Sequence, residues 1–263
     1  MSQSFNLNQL FQTAHAEGAL SNGSLQALNV FDIGAQIQAG LGISVDDVMA
    51  SEVVLVTIMP DDSGSIRFSN NAAVVRAGHN TIVDALTNSN QRGNILIHNR
   101  YLNGTVLYPY CPVTQAVRMN EQNYDPNQGT PLYDQTVVLL GTVLAKAQEF
   151  SDNGVPVRTV TLMITDGADA HSQRATADTV RSLVQDMLRT ENHIIAAMGI
   201  DDGGTDFRQV FRDMGIRDEW ILTPGNSQKD IRQAFQIFSQ SAVRASQSGG
   251  SFSQTSLGGF GTA

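Results

Sequence analysis

From residue 51 onward the chain alternates between two kinds of block, and this alternation limits the folds open to it. Continuous apolar runs at 53–59, 94–98, 104–110, 158–165, 193–200 and 219–223 read as buried strands. Between them, apolar residues recur every three or four positions. Val75, Gly78, Ile82 and Ala85 share one helical face; Val137, Leu140, Gly141, Leu144 and Ala147 share another. Ala177, Val180, Val184 and Met187 make a third face, Phe207, Val210, Phe211 and Met214 a shorter one, and Ile231, Ala234, Phe235, Phe238 and Ala242 the last. Strands that alternate with helices build a mostly parallel sheet covered on both faces. The runs on either side of Asn99–Asn103 leave no room for a crossover helix, so they predict an antiparallel hairpin at an edge. The expected class is α/β: a doubly wound, mostly parallel six-stranded sheet with one antiparallel edge strand.

The flanks differ from this core. Residues 1–50 lack long apolar runs, but Leu7, Leu10, Phe11 and Ala14 fall on one helical face. Asn22-Gly23 and Gly40-Leu41-Gly42 are expected to break the segment, and Ser44 with Asp47 to cap one more turn. Residues 246–263 are nearly all Ser, Gly, Gln and Thr, a composition that predicts disorder, with Phe252, Leu257 and Phe260 as spaced apolar anchors. The expected division is a helical extension at 1–50, an α/β domain at 51–245 and a tail at 246–263.

A net charge of −9 argues against nucleic acid, since phosphate binding needs a basic surface. The lone Cys111 has no neighbouring His or Lys to stabilise a thiolate and reads as a small hydrophobe. Met1–Leu10 lacks the basic and apolar regions of a signal peptide, and no apolar run reaches the length of a membrane span. A cytoplasmic location is the expectation.

Short oxygen-bearing side chains stand at three places: Asp61-Asp62-Ser63-Gly64-Ser65, Gly129-Thr130-Pro131-Leu132 and Thr165-Asp166-Gly167. The first and third follow predicted parallel strands, so both emerge at the carboxyl-end rim where ligands of open α/β sheets gather. Thr130 precedes a helix that starts from the same rim. In an extended or gently turned stretch alternate residues point the same way. Asp61, Ser63 and Ser65 are therefore expected to aim at one point, with Asp62 and Gly64 facing away. Carboxylates and hydroxyls are hard ligands suited to Mg²⁺, and Mn²⁺ or Ca²⁺ fits the same donors. With two charges from Asp61 and Asp166, a divalent ion would be roughly neutralised and keep an open position for a partner's carboxylate.

This Asp-x-Ser-x-Ser, Thr, Thr-Asp-Gly pattern resembles the von Willebrand factor A (VWA) domain and its metal-ion-dependent adhesion site, over about residues 51–245. The resemblance implies a Rossmann-like fold. It also implies hydroxyl ligands at Ser63, Ser65 and Thr130, and carboxylates at Asp61 and Asp166 that ligate directly or through water. Two features depart from the family. Pro60 precedes the motif, and Asp62 stands where a neutral residue is more usual. Gly129-Thr130-Pro131-Leu132 and the Ser/Gly tail are most similar to a cytosolic bacterial branch associated with tellurium resistance and stress operons. That branch implies a scaffold joining kinase, phosphatase or ATPase-chaperone partners.

Two other readings stand beside this one. A hydrolase or phosphoryl-transfer enzyme would use Ser63 or Asp61. However, the chain has no Gly-x-Ser-x-Gly elbow, no glycine-rich phosphate loop and no paired histidine spacing among His15, His79, His98, His171 and His193. A structural domain would assemble through its N-terminal segment and tail. Asp169 reads as a solvated loop acid, Asp201-Asp202 as a turn, and Trp220 and Phe207 as core.

Overall fold

The computed structural model describes residues 6–29, 33–247 and 259–260. Three helices come first: α1 (Leu7–Ala16), α2 (Asn22–Leu28) and α3 (Ile33–Leu41). Then follow β1 (Val53–Pro60), α4 (Gly64–Phe68), α5 (Ala72–Thr87), β2 (Ile95–Arg100), β3 (Val106–Pro112), α6 (Leu132–Asp152) and β4 (Val157–Thr165). The series ends with α7 (Ala177–Arg189), β5 (His193–Gly199), α8 (Phe207–Asp213), β6 (Ile221–Leu222) and α9 (Gln228–Gln247). The six strands form one sheet in the order β3-β2-β1-β4-β5-β6. Every pairing is parallel except β2 with β3, which places the reversed strand at an edge, as the short Asn99–Asn103 connection predicts.

β1 and β4 are central and buried along their whole length, so their sequences run apolar without alternation. Helices cover both faces. α5 packs on α9, while α6 packs on β1, β4 and α7. Close approach requires glycine at Gly78, where a Cβ would stand 2.2 Å from the Phe235 ring.

The first three helices belong to this packing. α3 lies on α6 and β3, and α2 lies on α7. Leu28 and Ile37 are buried, and both press on Gly141 so closely that a Cβ there would meet each at 2.8 Å. Asn22-Gly23 does not break the segment. Ser21 caps α2, and the pair forms its first turn. Ser44 caps the short turn Val45–Asp47 as expected.

The expected disorder of 246–263 falls mostly outside the described residues. Ser246 and Gln247 still belong to α9, and Gly259-Phe260 rests on the domain. No helix among the described residues is long and apolar enough to cross a membrane.

Candidate metal centre

The β1–β4 register positions the first carboxylate. Pro60 pairs with Ile164, so the residues that follow, Asp61 and Thr165, stand side by side at the carboxyl end of the sheet. Pro60 has no N–H to continue the ladder, and its carbonyl is taken by Leu102 N at 3.1 Å. Asp61 is fully buried. Its Oδ2 accepts from the Thr165 hydroxyl at 2.6 Å, and its Oδ1 accepts from Ser63 N at 2.7 Å. The Tyr124 hydroxyl donates to the Asp61 carbonyl.

The motif then turns into α4 at Gly64. Ser63 takes the N-cap position of α4, and Ser65 lies in the first turn. A serine at this position normally turns its oxygen onto the helix's free N–H groups. Ser63 makes no such bond; its Oγ meets Ser65 Oγ at 2.8 Å. Ser65 in turn donates to Asp166 Oδ1 at 2.5 Å. Asp61, Ser63, Ser65 and Asp166 are thereby linked through one hydrogen-bonded chain. Asp61, Ser63 and Asp166 are buried, while Ser65 is exposed, so the group opens to solvent on the Ser65 side.

Thr130 reaches the group by backbone clamping. Gly64 N donates to Gln128 O and Gln128 N to Asp62 O, each at 3.0 Å, which zips the Thr130 loop against the motif. On its other side the Thr130 carbonyl accepts from Ala170 N and His171 N, while Thr130 N donates to His171 Nδ1 at 2.8 Å. The Thr130 side chain lies beside Gly167, its methyl 3.9 Å and its hydroxyl 4.0 Å from where a Cβ would stand.

Asp62 does face away from this group, but not into water. It is buried, and its Oδ1 accepts from Asn103 N at 3.0 Å, tying the motif to the hairpin loop. Asp169 is no free loop acid either. It accepts from Tyr133 N at the start of α6 and from the Ser172 hydroxyl three residues on in its own loop. Asp201 and Asp202 cap the turn at Gly203-Gly204, and Trp220 and Phe207 are buried, as expected.

Burial dominates the electrostatics. It raises the pKa of Asp61 against the opposing hydrogen bonds of Ser63 and Thr165. It pushes Asp166 up to about 6, with the Asp61 charge adding to the effect, and Asp62 up to about 7. The donors to these three carboxylates are neutral hydroxyls and amides. Buried carboxylates in such surroundings favour a cation. The donor set therefore fits a hard divalent ion: oxygen throughout, two carboxylates facing the cluster and hydroxyls that carry no charge. Among the described residues no three His, Cys, Asp or Glu side chains converge, so a metal here would depend on the hydroxyls.

Several contributors were not among the expected site residues. Thr165 orients Asp61, and the Ser69 hydroxyl donates to Asp166 Oδ2 at 3.3 Å. Thr165 precedes Asp166 in sequence, and Ser69 follows Ser65 by one helical turn, a spacing that places both on one face. His171 is close enough to Asp166 in sequence to be expected near the rim, but its partner, Thr130 N, is distant in sequence, and Tyr124, which donates to the Asp61 carbonyl, carries no such signal.

No protein-family model matches the sequence, and no curated protein matches it. Solved structures do share its fold. The pilus adhesin SpaC from Lactobacillus rhamnosus GG matches with a TM-score of 0.55 and 13% identity over 74% of this chain. The match spans only 30% of the adhesin's length. A von Willebrand factor type A protein from Catenulispora acidiphila matches at TM-score 0.48 and 18% identity, over 74% of this chain and 43% of that one. Proximal thread matrix protein 1 from the mussel byssus, in a form with a zinc-occupied adhesion motif, matches at TM-score 0.47 and 16% identity, over 73% and 46%. Identities this low speak to the fold and not to the activity. The strand order with its single reversed edge strand, together with the likeness to the pilus adhesin, gives the chain the Rossmann-like fold that its sequence resemblance to the von Willebrand factor A domain implies.

Proposed function

We propose that this protein is a non-enzymatic, metal-dependent protein-binding module. Ser63, Ser65 and Thr130 would hold a divalent cation of the Mg²⁺ class, with Asp61 and Asp166 ligating it directly or through water. When bound, the ion supplies a Lewis-acidic position that a partner's Asp or Glu carboxylate can fill.

The chain's own residues do the rest. Thr165 and Ser63 N hold both Asp61 oxygens in place. Ser69 steadies Asp166, and the His171 clamp fixes the Thr130 loop. Ser65 and the 89% exposed Phe68, one turn along α4, present the face a partner would meet.

The carrying observation is the Ser63 hydroxyl. It stands at a cap position, leaves the helix uncapped and joins Ser65 instead, whose hydroxyl donates to Asp166. The hydrogen-bond partners of both serine hydroxyls are oxygens of the same cluster, which supports a ligand role over a nucleophilic one.

From the sequence resemblance we extend the reading to a cytoplasmic scaffold in a bacterial stress-response system of the tellurium-resistance type. Its partners would be kinase, phosphatase or ATPase-chaperone proteins.

Isothermal titration of the intact protein with MgCl₂ and MnCl₂, followed by partner capture with and without EDTA, tests the proposal. Saturable cation binding that is lost in Asp61→Ala and Asp166→Ala, with EDTA-sensitive capture, is the expected result. Capture indifferent to EDTA and to both substitutions would overturn it. So would turnover of ester or phosphoester substrates that disappears in Ser63→Ala.

A further inference from the structure

Gly259 and Phe260 lie far from the candidate centre, on the turn Asp218–Trp220 that leads into β6. β6 runs parallel to β5, so this turn is at the amino end of the sheet, while the oxygen cluster is at the carboxyl end. Phe260 N donates to Glu219 O at 2.9 Å, and Arg244 Nη2 of α9 donates to the Gly259 carbonyl at 2.8 Å. The Phe260 ring meets Trp220 edge-on, with centroids 5.2 Å apart and planes at 67°, and Phe238 at 6.4 Å and 62°. Both receiving rings are buried.

This seat reads two successive residues by different physics. The first must be glycine. Its φ is +82°, and a Cβ would stand 2.5 Å from both the Glu219 carbonyl oxygen and Glu219 Cβ. The second supplies an aromatic ring to an edge-to-face cluster, a favoured geometry for aromatic pairs. The backbone bonds to Glu219 and Arg244 fix the register between the two.

We propose that Glu219, Trp220, Phe238 and Arg244 form a peptide-binding site selective for a glycine–aromatic pair, with the chain's own Gly259-Phe260 as its tethered ligand. Specificity follows from the glycine requirement. Phe252 occurs in the same segment but follows Ser251, whose Cβ the seat excludes. Residues 248–258 join α9 to the ligand, so the pair is covalently tethered to its own seat. One ring and two backbone bonds make a small contact and therefore a weak site. The tethered pair therefore exchanges with the same pair supplied in trans, and the site lies clear of the metal rim.

Trp220 is the only tryptophan in the chain, so its emission reports on the seat. The intact chain carrying Phe260→Ala is titrated with a synthetic peptide of residues 254–263. A red-shifted Trp220 emission that returns saturably toward the wild-type value is expected. A peptide carrying Gly259→Ala should bind at least tenfold more weakly. If Phe260→Ala fails to fold by circular dichroism, wild-type protein labelled with ¹⁵N and mixed with about 10 mM unlabelled peptide gives the same information. The Gly259 and Phe260 amide signals should then move toward free-peptide positions. An absence of saturable response in whichever experiment applies would overturn the proposal, as would equal binding of the Gly259→Ala peptide.

Discussion

The hydroxyl of Ser65 donates to Asp166 Oδ1 at 2.5 Å, joining the segment after β1 to the segment after β4. The two residues are far apart in sequence, yet each emerges at the carboxyl end of a central parallel strand. Their meeting follows from topology, and so does the first prediction.

Wild-type protein should melt at a higher temperature in saturating Mg²⁺ than in EDTA, because a ligand that binds only the folded state stabilises it by about 2.7 kcal/mol at a hundredfold excess over its dissociation constant. Asp166→Asn should lose that increment. In EDTA the variant should be no less stable than wild type, since burial already raises the Asp166 pKa to about 6. Paired thermal melts of the two proteins, each with and without Mg²⁺, decide the matter.

His171→Ala should weaken the cation-induced shift while lowering the metal-free melting temperature by only about 2–4 °C. The substitution removes the acceptor of the Thr130 N–H at 2.8 Å, a loss of about 1 kcal/mol confined to one loop. Hydrogen exchange at the Thr130 amide should accelerate, and unchanged protection would argue against the clamp.

Gly78→Ala should destabilise the fold by about 2 kcal/mol. The added methyl would stand 2.2 Å from the Phe235 ring, and α5 and α9 would have to separate to admit it. Urea denaturation should show a lowered midpoint with an unchanged slope.

His193 should make the fold acid-sensitive. The residue is buried, its Nδ1 lies 2.7 Å from the Thr159 hydroxyl, and burial lowers its pKa to about 4. The unfolded chain therefore takes up a proton near pH 6.5 that the folded chain refuses. The stabilising contribution is complete above that value and declines as pH falls toward 4, by roughly 1.4 kcal/mol per pH unit. His193→Gln should gain about 2 kcal/mol on wild type between pH 7.5 and pH 5. Comparing the two proteins by urea denaturation at both pH values isolates this residue from the titrating carboxylates at the rim.

The strands were legible wherever burial on both faces forces a continuous apolar run, as in Val53–Pro60 and Val157–Thr165. The last strand was overextended. Residues 219–223 are apolar enough to read as a strand, but Asp218–Trp220 coils into a turn that seats Phe260, leaving only Ile221–Leu222 paired. The first three helices were only partly legible, because Asn22-Gly23 carries turn propensity that the Ser21 cap and packing on α7 override.

Hydrophobic period and oxygen-bearing loops are local properties, and they sufficed to indicate the sheet, its reversed edge and the three segments that meet at its rim. The tertiary structure alone decided which oxygens face one another. Asp62 is adjacent in sequence to Asp61, yet it turns to Asn103 N and is buried there. Ser63 leaves its helix uncapped, and His171 holds Thr130 from across the rim. These choices depend on backbone donors brought close by strand register and loop packing. A buried polar group is committed to whichever such partner the fold supplies, and the local sequence does not encode that partner.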